Sequence, residues 1–142
     1  MQVFIVGSPF DTAMALDQRR LNRQIQETEV ILAALNGAKA WSHHPAVLQY
    51  MGYDKWLRGY LIVLDCYARG NTRLAAFFDV ETERVRPHWH TDEYFNQMKR
   101  RLFTKNPKHY KQWADLGFSD ENWYWSQDEN KFIKYINGKR IE

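Results

Sequence analysis

The chain has little of several things. It holds one cysteine, Cys66, and four prolines in 142 residues. One cysteine excludes an intramolecular disulfide and any zinc site built on several thiolates. Cys66 sits in the apolar run from Tyr60 to Tyr67, which is the setting of a buried thiol filling core space rather than a nucleophile. No apolar stretch reaches the length of a membrane span. The opening Met1-Gln2-Val3-Phe4-Ile5-Val6-Gly7 lacks the charged region and long apolar region of a signal peptide. No Gly-rich phosphate-binding loop, internal repeat or low-complexity tract is present. Net charge is small: 20 Lys and Arg against 17 Asp and Glu give +3. That excludes a polybasic tail protein, though a local basic patch can still hold nucleic acid. These features predict a soluble cytoplasmic protein with no membrane partner.

Aromatics are abundant, at 15% with six Trp and eight Tyr. Hydrophobic residues make up 44% and charged residues 26%, the balance of one globular domain. The expected fold is mainly α: a compact single-domain helical bundle over residues 1–142, with short extended segments at the termini. Residues 2–6 read as a short strand or extended arm, ended by Gly7-Ser8-Pro9. Asp11 or Thr12 caps a first helix running to about Leu35 and stopped by Asn36-Gly37. Pro45 opens a short second helix, which Gly52 breaks. Asp54 caps a third, Lys55 to Arg69, stopped by Gly70-Asn71. Residues 72–91 carry no clear period, and Phe77 to Val85 fit a loop, a short strand pair or a helical turn. A fourth helix spans Thr91 or Asp92 to Lys105, and a fifth runs from Lys108 to Leu116. The tail, 118–142, carries Trp123-Tyr124-Trp125. These large aromatics are expected to dock on the core.

The first helix carries the sharpest chemical pattern. Met14, Leu21, Ile25, Leu32 and Leu35 fall within an arc of about 80° at helical spacing, the stripe to be buried. Asp17, Arg20, Gln24 and Glu27 form a row beside it, with Arg23 just beyond. A polar row at the edge of a buried stripe is either an ion-pair network or the wall of a polar pocket. Glu27 near Arg20 and Arg23 is a carboxylate suited to stabilising a cation or moving a proton.

A second pattern is the basic segment from Tyr94 to Leu116. Lys99, Arg100, Arg101, Lys105, Lys108 and Lys111 stand against a single acid, Asp115. His109, Tyr110 and Trp113 are interleaved, which suits backbone contact with stacking. His43-His44 and His88-Trp89-His90, near Asp92 and Glu93, offer metal-ligand residue types. His88 and His90 would face one way only on a strand and the spacing is weak evidence, so neither metal nor cofactor is expected. His44 before Pro45 reads as a helix-entry residue, either lining a pocket or acting as a structural cap.

The run Leu16-Asp17-Gln18-Arg19-Arg20-Leu21, with Gln24 and Glu27, then Ile31 to Leu35 and His44-Pro45-Ala46-Val47, resembles the pyrimidine-dimer DNA glycosylase family. The family includes the phage endonuclease V type and its bacterial relatives. Met1-Gln2-Val3-Phe4 with Pro9-Phe10 resembles the bacterial branch, as do Pro87, Trp89, Glu93, Phe95, Leu102 and the block Lys105 to Tyr110. The resemblance spans residues 1–113 and is weakest over 68–86. It implies a helical domain that excises a base at a DNA lesion and cleaves the strand at the abasic site.

In that family an N-terminal α-amine attacks C1′ and a glutamate on the first helix assists. The glutamate lies six residues after a helix leucine, as Glu27 follows Leu21. The phage enzyme has a small residue exposed by removal of the initiator Met. Gln2 blocks that removal here, so the implied nucleophile is the amine of Met1. The resemblance also implies phosphate contacts by Arg19, Arg20, Arg23, Lys99, Arg100 and Arg101, and the residue patterns above add His44, Lys105 and Tyr110 as expected DNA contacts. The implied partner is double-stranded DNA with a damaged or modified base. The protein is expected to act as a monomer at the nucleoid of a bacterial cell or phage-infected host. Two other classes stay open from the residues alone. One is a non-catalytic DNA- or nucleotide-binding module, and the other is a metal-dependent hydrolase built on His88 and His90.

Overall fold

The computed structural model describes residues 1–117 and 122–141. The fold is mainly α, as expected. The chain divides into two compact units, Met1–His88 and Trp89–Glu142.

The first unit begins with an extended arm in which Val3, Ile5 and Val6 are buried. Helix α1 spans Pro9–Ala15. Ser8 caps it by accepting from Asp11 N at 3.1 Å, and Asp11 accepts in return from Ser8 N at 3.4 Å. This is a capping box with Pro at the first helical position. The helix stops at Leu16, whose backbone is extended, with φ −69° and ψ 140°. The single helix expected from Asp11 or Thr12 to Leu35 is therefore two. Asp17 accepts from Arg20 N at 3.2 Å and starts α2, Gln18–Leu35. A short carboxylate that captures an amide three residues on ends one helix as readily as it begins the next. Met14, assigned to the buried stripe, lies on α1 and is 52% exposed. The buried face of α2 is instead Leu21, Gln24, Thr28, Ile31, Leu32 and Ala34.

Helix α3 is the single turn Pro45–Leu48, followed by Gly52 in the left-handed region at φ +86°. Helix α4, Asp54–Ala68, buries Trp56, Leu57, Tyr60, Val63 and Leu64 on one face. Cys66 on the same helix is only half-buried, so the buried-thiol expectation is corrected. The stretch 72–91, in which Phe77 to Val85 was read three ways, contains a fifth helix, α5, Thr72–Glu83, capped by Asn71 through Leu74 N at 3.1 Å. Its buried residues are small, Ala75 and Thr82, while Leu74, Phe77 and Val80 are exposed. Gly59 lets α5 approach α4. A Cβ at that position would stand 2.8 Å from Thr82 Cγ2 and 2.9 Å from its Cβ.

The second unit holds α6, Asp92–Lys105, capped by Thr91 through Tyr94 N at 3.3 Å. It buries Tyr94, Phe95, Gln97, Met98, Leu102 and Phe103. The helix expected at Lys108–Leu116 is a shorter 3-10 helix, Lys111–Leu116. Asn106 delays it by holding a turn: its side chain accepts from His109 N at 3.2 Å and its carbonyl from Tyr110 N at 3.1 Å. The terminal extended segment is a three-stranded antiparallel sheet in sequential order. Its strands are β1 (Asn122–Ser126), β2 (Lys131–Ile136) and β3 (Lys139–Ile141). Asn137 and Gly138, both at positive φ, form the two-residue hairpin between β2 and β3. Trp125 packs on Phe132 at 5.2 Å and Trp89 at 5.4 Å between ring centroids, the docking expected of it. The Trp123 side chain lies outside the described part of the structure. Among the described residues no helix is long and apolar enough to cross a membrane.

Candidate active site at the N-terminal arm

The site belongs to the first unit and grows from one buried amide. Gln24 on α2 spans two backbone groups of the arm. Its Nε2 donates to the Gln2 carbonyl at 2.6 Å, and its Oε1 accepts from Phe4 N at 3.0 Å. A side-chain amide used this way imitates a neighbouring strand and fixes the register of the arm. The Tyr60 hydroxyl donates to the same Oε1 at 2.7 Å, with the Phe4 carbonyl oxygen 3.1 Å away. Tyr60 is itself the end of a buried stack, Tyr50 on Trp56 at 5.5 Å and Trp56 on Tyr60 at 5.0 Å. Three large rings thus give a rigid backing to an amide that positions the first residues of the chain.

Glu27 lies three residues beyond Gln24, on the same face of α2. One carboxylate oxygen accepts from Gln2 N at 3.2 Å and the other from Arg23 Nε at 3.1 Å. Its side chain is 19% exposed. The carboxylate is thus fixed one residue from the Met1 α-amine. Each member of the polar row has a partner: Asp17 with Arg20 at 3.1 Å, Gln24 and Glu27 with the arm.

His44 completes the group. It caps α3, its Nδ1 accepting from Ala46 N at 3.0 Å. In the neutral ring that leaves the proton on Nε2. Its pKa is lowered from the ordinary histidine value, first by burial and then by the positive Met1 amine, while the Glu27 carboxylate works in the opposite sense. The amine, the carboxylate and the imidazole therefore share one electrostatic neighbourhood. Of the two open readings of His44, the structure shows the helix cap.

The remaining basic residues divide. Arg19 is exposed on α2, Arg20 pairs with Asp17, and the Arg23 side chain is 71% exposed despite its bond to Glu27. In the second unit Lys105 is exposed at the end of α6, and Lys99 Nζ lies 5.9 Å from the centroid of the Trp113 ring. Arg100 and Arg101 are both half-buried. Arg100 Nε donates to the Leu116 carbonyl at 3.0 Å, and burial lowers the Arg101 pKa from its ordinary value. Tyr110 is 0% exposed and stacked on Trp113 at 5.3 Å, so the expectation that it touches DNA is corrected. A tyrosine in a run of lysines is as useful to the interior as to a ligand.

Among the described residues no three His, Cys, Asp or Glu side chains gather as a metal site. The His88 ring shares a 2.8 Å hydrogen bond with the Tyr53 hydroxyl, and buried His90 stacks on Tyr94 at 5.7 Å. Sequence reasoning missed the joining of Gln24 to Tyr60. The buried position of an amide inside a polar row was its only trace.

A family model described as pyrimidine dimer DNA glycosylase matches residues 1–70. The chain is similar to that family over residues 1–70. Searches of curated proteins and of solved structures found no match. The family match contains the arm and helices α1 to α4, and so Gln24, Glu27, His44 and Tyr60. It names a DNA repair glycosylase, and DNA is the substrate that such a family implies.

Proposed function

We propose that this protein excises a damaged or modified base from double-stranded DNA and cleaves the strand at the resulting abasic site. The Met1 α-amine is the nucleophile. The observation that carries the reading is the gathering of that amine, Glu27 and His44 inside the segment matched by the glycosylase family.

The chemistry balances as follows. The neutral amine nitrogen attacks C1′ of a nucleotide drawn out of the stack. The glycosidic bond breaks, and the base leaves with the bonding electrons and takes up a proton. The sugar ring opens and the nitrogen becomes an iminium linked to C1′. Loss of a proton from C2′ then expels the 3′ phosphate. The Glu27 carboxylate, held by Gln2 N and Arg23, stabilises the positive sugar and then the iminium. His44 offers Nε2–H to a sugar or phosphate oxygen. Arg19, Arg20 and Arg23 supply charge along the same helix for the phosphates on either side.

Borohydride trapping on a duplex with one abasic site tests this. A covalent adduct that maps to the Met1 peptide is expected, and Glu27→Gln is expected to reduce its formation on the order of a hundredfold. No adduct with the Met1 amine free overturns the reading. The two hydrogen bonds of Glu27 also fit a structural carboxylate, which favours a second reading, a DNA-binding module without cleavage. DNA binding without any cleavage by the unmodified protein selects that module.

A further inference from the structure

Trp41 is 57% exposed, whereas Trp56 and Trp89 are buried and Trp113 and Trp125 half-buried. It occupies the turn between α2 and α3 with φ +65°, the left-handed region that bulky residues avoid. Neighbouring hydrogen bonds hold it there. Its carbonyl accepts from His44 N at 2.9 Å, and the Lys39 carbonyl accepts from Ser42 N at 3.3 Å. Its ring meets the His44 imidazole edge to face, with centroids 5.8 Å apart and planes at 73°. His44 is the residue whose titration responds to both the Met1 amine and Glu27. A large exposed aromatic thus stands in an unfavourable backbone conformation beside the candidate reaction centre. Exposed Lys39 and His43 flank it on the same turn. Strain of this kind persists where the surrounding structure enforces it, and sites of function are where it collects.

We propose that Trp41 is a stacking site for a nucleobase displaced from the helix at the lesion. The proposal rests on the reading of this pocket as a DNA lesion site. A glycosylase must unstack the nucleotide it acts on, and an unstacked base loses the neighbours that covered its faces. An indole beside the pocket replaces one of them without asking which base it is, because every base has a π-face. Exposed Lys39 on the same turn suits an adjoining phosphate. Trp41 would therefore position DNA and add discrimination for helices whose stacking is already broken, leaving the covalent steps to Met1 and Glu27.

The test uses a short duplex with one tetrahydrofuran abasic analogue opposite 2-aminopurine, and the same duplex without the analogue. Affinity and 2-aminopurine fluorescence are measured for the unmodified protein, Trp41→Ala and Trp41→Phe. The expected result is that Trp41→Ala weakens binding to the analogue duplex about tenfold, and binding to the undamaged duplex by less than about twofold. Trp41→Phe is expected to recover most of the loss, and the fluorescence change should follow the affinities. Trp41→Ala without effect on either duplex overturns the proposal, and so does an equal loss on both. Borohydride trapping on a true abasic site reads the Met1 and Glu27 chemistry separately. Trapping that persists while Trp41→Ala leaves discrimination intact removes the stacking site alone. A Trp41-dependent preference without any trapped adduct removes the covalent mechanism alone.

Discussion

The Tyr60 hydroxyl and the Gln24 amide meet 2.7 Å apart over the N-terminal arm, and the arm is held in place through them. Gln24 Oε1 receives Tyr60 from one side and Phe4 N from the other, while Gln24 Nε2 reaches the Gln2 carbonyl. Tyr60→Phe removes one buried hydrogen bond at a cost of about 1 kcal/mol. The melting temperature should fall by roughly 3–5 °C. Gln24→Ala removes the arm's register as well. Imine trapping should then drop on the order of tenfold or more, because misplaced reacting groups lose effective concentration, with the helical circular dichroism signal unchanged. Trapping unaffected by Gln24→Ala would show that the arm finds its position by other means.

Much of this was legible in the sequence, and the failures have physical causes. Gly70 placed the end of α4 and Thr91 the start of α6 because both act locally, whereas Asp54, expected to cap α4, is its first residue and Tyr53 before it makes no side-chain cap. The break at Leu16 was hidden because Met14 and Leu21 keep a helical spacing across it, although Asp17 starts a new helix. Helix α5 was obscured by an inverted pattern. It meets Gly59 with small residues and turns Phe77 and Val80 outward. The row containing Glu27 was visible as a pattern, but its meaning required the arm that folds onto it. Tyr110 and Arg100 sit among exposed lysines, yet one is buried and the other bonds the backbone, a distinction charge patterning does not contain.

The electrostatic neighbourhood of His44 predicts two opposite shifts. Its pKa already lies below the ordinary value of about 6.5, with burial the largest cause. Acetylating the Met1 amine removes a positive charge and should raise it. Glu27→Gln removes a negative charge and should lower it further. Both are read from the His44 ring protons by NMR titration. A depressed folded-state pKa means that the unfolded chain takes up the proton first as the pH falls. The contribution to stability is therefore complete above the unfolded value and is lost as the pH drops through the folded one. His44→Asn keeps a capping acceptor and should flatten that limb of the stability profile. If neither acetylation nor Glu27→Gln moves the titration, the three groups do not form one site.

Gly59 marks the tightest constraint on the α4–α5 pair. Any Cβ there collides with the Thr82 side chain, which is itself buried and donates to the Phe78 carbonyl at 2.8 Å. Gly59→Ala should destabilise the protein by about 1–3 kcal/mol despite the better helix propensity of alanine. Thr82→Ala in the same chain should recover part of the loss, because two of the colliding atoms disappear while the Thr82 Cβ remains 2.9 Å away. Chemical denaturation of the two single variants and the double variant measures the coupling. Strictly additive effects would mean that the helices separate instead of clashing.

The backbone of Trp41 supplies a test that separates stability from recognition. At φ +65° a residue with a Cβ is strained, and glycine is not. Trp41→Gly should therefore offset its added chain entropy and leave the folded state more stable by up to about 1 kcal/mol. A side chain that is 57% exposed takes little packing with it when it is removed. The same change removes the ring and should weaken binding to duplexes with a disrupted stack, as Trp41→Ala does. Trp41→Ala keeps the Cβ and the strain, so it should lose binding without gaining stability. A conformation that costs stability and supports binding is the trade-off expected of a functional position. Should Trp41→Gly melt below the unmodified protein, the indole is holding the turn together, and its conformation reflects packing rather than recognition.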